Sequence, residues 1–352
     1  MSRVQKAGSD FASRVQGFLP ERDLERVIGL ALALGLLGLA FAETAPKSGR
    51  EITLTAQSVP LSMADPAADQ VGALRFLGGV ALRSEDPGFG GLSGLAVQPS
   101  PGGWRVLAIT DQGDKFTGRL VFEGARLRGI DQAAIEPLVD LEGKMVEGKL
   151  TGDAESITRL PDGRVLIGFE RRHRIWAYGP DLTGPAQAFE TPGSLSGAPP
   201  NGGLESLANW PDGRVLAISE RMATRSGHIQ GFLRQGRDWA KIEWTPSAPG
   251  FEPSDATVLP NGDLLVLERY WSAKSPTSIS SRIIRVNGDQ VRPETTLSGS
   301  VIAELKAPFI AENFEGITTF TNAQGKTEIL LLSDDNFSGL QRTLLLSFEI
   351  RD

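Results

Sequence analysis

Carboxylates at matching points of a repeated sequence are the side chains of this chain best suited to chemistry. Glu155, Glu205 and Glu315 each stand near the start of a repeat. Ser93 and Asp255 hold nearly the same place in two further copies. Several carboxylates at one level of a channel repel one another and favour a bound cation, and oxygen donors suit Ca²⁺ better than zinc. The spacing therefore predicts a divalent-cation site, with Ca²⁺ as the expected ion and the three glutamates as candidate catalytic residues.

A second set of acids ends the apolar strand that follows in each copy. Its members are Asp111 with Asp114, Glu170, Glu220, Glu268, and Asp334 with Asp335. Together with Asp255, the residues Asp111 and Asp335 are the candidate metal ligands. Regular recurrence is equally expected of residues that only hold neighbouring repeats together, so both roles stay open at the level of sequence.

Three of the copies read Glu-Arg, which places Arg171, Arg221 and Arg269 directly after strand-end acids. A guanidinium fork binds phosphate oxygens well, so these arginines are the candidate substrate-binding residues. Salt bridges between neighbouring repeats are the alternative role for them.

The scarce residue types exclude several kinds of chemistry. The 352 residues contain no cysteine and only two histidines, His173 and His228, which excludes thiol nucleophiles, Cys-ligated zinc and a three-His zinc site. The formal net charge of −7 repels nucleic-acid phosphates, so no nucleic-acid partner is predicted. The remaining chemistry is that of carboxylates, hydroxyls and arginines.

The repeats that carry these residues predict β-hairpins. Residues 152–171 (GDAESITRLPDGRVLIGFER) align without a gap with residues 202–221 (GGLESLANWPDGRVLAISER). Residues 251–270 follow the same plan with one residue fewer before the acid, and looser copies lie at 90–113 and 312–336. Each copy holds a short strand, a turn such as Pro-Asp-Gly, and an apolar strand. Because a hairpin alone is marginal in water, these units are expected to stack.

The repeat period, about 50 residues, suits the blade of a propeller and leaves room for two more strands after each hairpin. We therefore predict an all-β domain over residues 73–352, a β-propeller of five four-stranded blades. The fifth copy lacks an outer strand, which Ala73–Leu82 can supply so that the ring closes. A sixth blade is the alternative if Glu51–Met63 contributes strands. Gly163 and Gly213 are expected at equivalent turns of neighbouring blades.

The N-terminal part predicts export. Val27–Ala42 (VIGLALALGLLGLAFA) is an uncharged apolar run that ends in a small-x-small pattern. We predict a helical signal peptide or signal anchor over residues 1–42 and a linker over residues 43–72. The domain is then periplasmic or secreted, or anchored at the inner membrane, and the N-terminal segment is its only predicted contact with a membrane.

Several motifs resemble the family named for the esterase-like activity of phytase. They are GGLSGLAV with TDQGD, the DAES and GLES strands with their later Glu-Arg, FEPSDATVLPNGDLLVLER, and NFEGITTF with LLLSDDNF. The resemblance covers residues 74–350 and implies an exported β-propeller that hydrolyses phosphate or carboxylic esters. The Asp-Asp-Pro-Ala stretch of the calcium-dependent propeller phytases does not occur in this sequence.

The leading functional hypothesis is a metal-assisted hydrolase of phosphate or carboxylic esters. A divalent cation held by channel carboxylates would polarise the ester and activate water. Two alternatives remain, because one fold serves many functions. They are a non-catalytic binding or scaffolding propeller of the cell envelope, and a calcium-dependent lactonase.

Overall fold

The computed structural model describes residues 49–272 and 278–351. The predicted signal or anchor segment, residues 1–42, lies outside the described residues. Across the part of the chain that is described, no helix combines the length and the apolar character needed to cross a bilayer.

Five antiparallel sheets follow one another along the chain and form the five blades of a β-propeller. From the inner to the outer edge, the strands of blade 1 are Leu92–Ser100, Gly103–Thr110, Asp114–Glu123 and Arg126–Pro137. Those of blade 2 are Ala154–Arg159, Val165–Phe169, Arg174–Tyr178 and Gln187–Phe189. Those of blade 3 are Leu204–Asn209, Val215–Ala223, Ile229–Gln235 and Asp238–Trp244.

Blades 4 and 5 complete the ring. The strands of blade 4 are Phe251–Val258, Leu264–Tyr270, Ser280–Val286 and Ser300–Leu305. Those of blade 5 are Phe314–Thr321, Thr327–Ser333, Thr343–Ile350 and Leu74–Arg83. The helices of the described residues are short, namely the α-helix Gly148–Gly152 and the 3₁₀ turns Pro180–Leu182, Gly193–Gly197 and Gly288–Gln290.

The outer strand of blade 5 comes from the start of the domain, as predicted. Leu74–Arg83 pairs antiparallel with Thr343–Ile350, from Leu82 opposite Thr343 to Leu74 opposite Ile350. The inner strands of all neighbouring blades are in contact, including those of blades 5 and 1. The two ends of the domain therefore share one blade, which covers an edge that would otherwise be open.

Short additional strands extend the outer edges of blades, and they do not form a sixth blade. Arg50–Glu51 pairs with blade 1, and Thr55–Ser58 pairs with Leu74–Arg83 of blade 5. Gln70–Val71 folds back on the same strand of blade 5. Thr296–Leu297 adds a parallel strand to blade 3. The stretch Glu51–Met63 thus adds strands to two existing blades. The predicted five blades are observed, and the sixth blade is not.

The hairpin turns repeat in detail. Gly163 and Gly213 have φ of 91° and 88°, in the left-handed region that glycine tolerates. Their N–H groups donate to the carbonyls of Leu160 and Trp210, both at 3.0 Å. The two turns are equivalent, which confirms that prediction.

The hydrophobic core lies between the blades. The second strands are buried on both faces, as their apolar sequences predict, and Leu166, Leu216 and Leu265 have no exposed surface. Trp210 and Trp244 are the largest fully buried side chains and pack between blades 3 and 4. This packing fixes the inner strands, and with them the side chains around the channel.

Candidate functional site

All five inner strands begin at one face of the propeller, which we call the mouth face. The opposite face carries the hairpin turns and is called the turn face. The described loops of the mouth face are residues 84–91, 111–113, 138–153, 170–173, 190–203, 224–228, 245–250, 271–272, 306–313 and 334–342.

Each inner strand has a β-bulge close to the mouth face, and in blade 1 it falls on Gly94, one residue after Ser93. In blades 2, 3 and 5 the bulged residues are Glu155, Glu205 and Glu315. In blade 4 the bulge falls on Ser254, so Ser254 and not Asp255 corresponds to Glu155. Glu268 pairs with Pro253 as Phe169 pairs with Ala154, so this repeat has one residue fewer before its strand-end acid, as the sequence predicts. Bulges re-aim side chains, and here they turn one position per blade out of the regular ladder.

The three bulged glutamates converge, as their spacing predicts. Burial, and then the charges of Glu315 and Asp153, raise the pKa of Glu155 well above its usual value. Burial, and then the charge of Glu155, does the same to the pKa of Glu205. Ser93 Oγ donates to Glu315 Oε2 at 3.4 Å, so blade 1 contributes a hydroxyl at this level. Their convergence is observed, while their catalytic role stays a prediction.

Arg269 neutralises one of these glutamates. Its guanidinium donates to Glu315 and Asn313, and to Glu220 Oε1 at 3.0 Å. Burial alone would lower the pKa of Arg269, but the charges of Glu315 and Glu220 outweigh it and raise that pKa. Burial raises the pKa of Glu220 to about 7, and the charge of Arg269 opposes this rise. The arginine, whose side chain is 18% exposed, is thus a half-buried counter-ion of these carboxylates.

A trio of carboxylates at the blade 2 side of the mouth has the geometry of a cation site. Asp153, Glu155 and Glu170 each place one oxygen within 4.8 Å of the others. Asp153 is only 2% exposed, and its Oδ2 accepts from Arg171 Nε at 2.5 Å. Its other oxygen, Oδ1, is buried and has no hydrogen-bond partner. An oxygen-rich cluster with an unsatisfied buried acceptor fits a hard divalent cation.

Asp153 was not among the residues selected from the sequence. The available signal was its position two residues before the bulged Glu155, where blade 5 has Asn313 before Glu315. Glu170 was selected only as a recurring strand-end acid. Its Oε1 accepts the N–H of Gly202 at 2.6 Å and that of Gly203, so blade 3 holds this carboxylate in place.

The three predicted metal ligands lie outside this trio. Asp255 is fully buried, and its two oxygens accept the N–H groups of Ala256 and Ile317, each at 2.8 Å. Asp335 accepts the N–H of Gly91 at 3.1 Å, which joins blade 5 to blade 1. The oxygens of these two carboxylates accept internal hydrogen bonds, which hold neighbouring blades together.

Asp111 differs from the other two because its partner is the ammonium group of a lysine. Lys149 Nζ lies 2.7 Å from its Oδ2, and Gln112 Nε2 donates to its Oδ1 at 3.0 Å. Close by, burial and then the charge of Glu315 raise the pKa of Asp334 to about 8. The mouth therefore gathers more carboxylates than the expected set.

All three predicted substrate-binding arginines are bound to carboxylates. Arg171 pairs with Asp153, and Arg269 pairs with Glu315 and Glu220. Arg221 Nη2 lies 2.8 Å from Glu252 Oε2, on the next blade. Arg221 and Arg269 thus form the salt bridges between neighbouring repeats that were the alternative role, whereas Arg171 pairs within its own repeat. Their role in binding substrate stays a prediction.

Five four-stranded blades around an acid-rich channel mouth define a β-propeller with a candidate cation site. The chain belongs to the phytase-like family, described as "esterase-like activity of phytase", whose model matches residues 87–337. A search of curated protein sequences gives no match.

Several solved structures are similar in fold. An α-L-arabinofuranosidase catalytic domain from Coprinopsis cinerea is 12% identical with a TM-score of 0.49, covering 84% of this chain and all (100%) of that one. A gluconolactonase from Xanthomonas campestris is 9% identical with a TM-score of 0.40, covering 87% of this chain and 99% of that one. A virginiamycin B lyase from Staphylococcus aureus is 11% identical with a TM-score of 0.37, covering 84% and 99%.

Proposed function

We propose that this protein is a hydrolase of ester bonds that uses a divalent cation, with Ca²⁺ as the expected ion, at the mouth of its channel. The observation that carries the proposal is Asp153 Oδ1, a buried acceptor without a partner inside a trio of carboxylates. Asp153, Glu155 and Glu170 would hold the cation. Membership of a family described by an esterase-like activity supports the same reaction class.

The electrostatics of the trio favour a cation. Three carboxylate oxygens within 4.8 Å repel one another, and Arg171 bonds only to Asp153 Oδ2. A divalent cation offsets this repulsion and satisfies the bare oxygen. When bound, it supplies Lewis-acid polarisation of an ester carbonyl and lowers the pKa of a water molecule.

Glu205 is the residue that we assign as general base. Burial, and then the charge of Glu155, raise the pKa of Glu205, which makes it a stronger proton acceptor than an ordinary glutamate. The water oxygen bonds to the carbonyl carbon while Glu205 takes the proton. The carbon–oxygen bond to the alcohol then breaks, and the alcohol leaves with that proton, giving a carboxylic acid and an alcohol. Arg269 binds Glu315 and holds this carboxylate in place on the blade 5 side of the mouth.

Metal binding is tested on the purified protein. Elemental analysis and thermal unfolding with Ca²⁺ and with EDTA should show bound metal and a higher unfolding temperature with Ca²⁺, by mass action. Asp153→Asn, and the double variant Glu155→Gln with Glu205→Gln, should lose most of that rise. Asp212→Asn, in a turn at the opposite face, is the matched control and should keep it.

Catalysis is tested with carboxylic esters, lactones and phosphate esters, each with and without EDTA. Hydrolysis that EDTA abolishes and Ca²⁺ restores supports the proposal. Lactones are included because a cyclic ester contains the same bond. If Ca²⁺ leaves the melting curve unmoved and no ester is cleaved, the hydrolase proposal fails and a non-catalytic binding propeller becomes the better interpretation.

We also propose that the domain acts outside the cytoplasm, on the basis of the apolar Val27–Ala42 sequence. Fractionation of cells that express the full chain should place it in the periplasm, the inner membrane or the medium. Recovery of the full-length chain as a soluble cytoplasmic protein would contradict this.

A further inference from the structure

Exposed apolar side chains are concentrated on the mouth face. Eight large apolar residues are exposed in the described part of the chain. Six of them lie in mouth-face loops, namely Leu141, Met145, Leu150, Trp271, Phe337 and Leu340. We call these six residues the apolar rim. Leu340 is 95% exposed and Leu150 is 65% exposed, and although single exposed leucines are common, their grouping with other apolar side chains on one face is typical of a binding surface.

The apolar rim reaches the acid-rich mouth. Leu150 directly follows Lys149, whose Nζ lies 2.7 Å from Asp111 Oδ2. On the blade 5 side, Gly91 lies against both Phe337 of the apolar rim and Asp111 of the mouth. A side chain placed there would collide with the ring of Phe337 and would lie 2.8 Å from Asp111 Oδ1. The phenyl ring and the carboxylate therefore flank the same piece of backbone.

The charges at the mouth do not suit a phosphate group. The three arginines with the expected fork geometry, Arg171, Arg221 and Arg269, all donate to carboxylates. The mouth also gathers several carboxylates, among them Asp153, Glu155 and Glu170, whose oxygens lie within 4.8 Å of one another. A phosphate monoester would add two negative charges there, whereas a carboxylic ester adds none.

We infer that the mouth takes an uncharged carboxylic ester with an apolar chain, in preference to a phosphate monoester. The ester group lies at the carboxylate trio, and the chain lies along Leu150, Phe337 and Leu340. This inference rests on the proposed hydrolase function for its chemistry. It adds the substrate class, and the apolar rim supplies the specificity.

Activity is compared on three matched substrates below their micelle-forming concentrations, with Ca²⁺ present. They are 4-nitrophenyl octanoate, 4-nitrophenyl acetate and 4-nitrophenyl phosphate. Because each buried methylene adds to binding, kcat/KM for octanoate should exceed that for acetate roughly tenfold or more. The phosphate should be cleaved at least about a hundredfold more slowly than octanoate, because Arg171, Arg221 and Arg269 are already paired with carboxylates and the charge of the bound Ca²⁺ is offset by its carboxylate ligands. Equal or faster cleavage of the phosphate overturns the inference and leaves the hydrolase function standing.

Variants locate the chain-length preference. Leu150→Ser combined with Leu340→Ser should lower the octanoate-to-acetate ratio at least about fivefold, since two contacts of the chain are lost. The control replaces Val301, which is exposed on the outer strand of blade 4, by serine, and should keep the ratio. If the control lowers the ratio as much as the rim variant, the apolar rim is not the chain-binding surface.

A binding measurement separates failure of the inference from failure of the hydrolase function. Titration calorimetry should detect N-octylacetamide, an uncharged analogue that resists hydrolysis, and should not detect phenylphosphonate at the same concentration. Binding of N-octylacetamide without hydrolysis of any ester means that the reaction class is wrong while the ligand class stands. Binding of phenylphosphonate alone overturns the inference.

Discussion

At the scale of single residues, the carboxylates of the mouth differ in the partners that neutralise them or donate hydrogen bonds to them. Glu315 has Arg269 as a partner, and Asp255 has two backbone amides. Asp153 has one bonded oxygen and one bare oxygen. Only the last of these arrangements leaves an acceptor for a ligand, because a buried oxygen without a partner is costly.

Asp334 predicts how stability depends on pH in the metal-free protein. Burial raises its pKa to about 8, while an unfolded chain titrates near 4. Between those values the folded protein keeps a proton that the unfolded chain releases, so the free energy of unfolding falls as pH rises across this window. Asp334→Asn removes this titration, so the variant should lose less stability than the parent protein as the pH rises. Between pH 5 and pH 8 the difference in the free energy of unfolding should be on the order of 2 kcal/mol.

Urea unfolding at the two pH values, with EDTA present, measures this effect. Asp65→Asn is the matched control, because Asp65 accepts an N–H two residues ahead, as Asp334 does, but is exposed. An Asp334→Asn variant with the same pH dependence as the parent protein would show that this carboxyl is not proton-bound when folded.

Arg269 predicts a large loss of stability when its charge is removed. Arg269→Met keeps the apolar stem but leaves Glu315 and Glu220 without their half-buried counter-ion. We expect a loss of about 3–5 kcal/mol in the free energy of unfolding. Adding Glu315→Gln should recover part of it, because one uncompensated charge is gone. Urea unfolding of the single and double variants checks this, and an unchanged midpoint for Arg269→Met would exclude the counter-ion role.

At the scale of elements, the hairpins are near copies whose outer connections differ. Their turns share the glycine φ, and their inner strands share the bulge level. The strand-end acids, by contrast, differ in partner. Glu170 binds two amides of the next blade, while Glu268 accepts Trp244 Nε1 at 2.8 Å and the N–H of Ser247 at 3.1 Å. The repeat therefore conserves geometry at the turn face and varies chemistry at the mouth face.

Equivalent turns should respond equally to the same substitution. Gly163→Ala and Gly213→Ala each place a side chain at φ near 90°, with no atom closer than 3.7 Å to the new Cβ. The cost is backbone strain alone, and we expect about 1–2 kcal/mol for each. Gly193→Ala, at a glycine with open space around it and an ordinary φ, is the control. Unequal losses measured by urea unfolding would mean that the two turns are not equivalent in solution.

At the scale of the whole molecule, one strand closes the ring. Leu74–Arg83 covers Thr343–Ile350, so its removal would leave a long apolar edge strand exposed. A chain without residues 1–83 should lose its single cooperative unfolding transition and aggregate. A chain without residues 1–48 keeps every described strand and should unfold cooperatively. Size-exclusion chromatography and urea unfolding distinguish the two, and an identical midpoint for both chains would contradict closure by this strand.

The sequence by itself determined the blades. Hairpin, turn and apolar strand are encoded locally, and their recurrence predicts five blades and the shared fifth blade. Strand positions such as Arg174–Tyr178 agree with the structure because alternation and turn residues act over a few neighbours.

Only the tertiary structure decided which carboxylates remain available for a ligand. A bulge shifted the correspondence in blade 4 from Asp255 to Ser254, and a bulge depends on the pairing between strands. The pairing of Arg269 with Glu315 joins residues 46 positions apart. The bare oxygen of Asp153 likewise results from contacts with Arg171, Glu155 and Glu170. Compensation of a buried charge is a property of the packed neighbourhood, so a repeat can show where acids stand but not which of them are already neutralised.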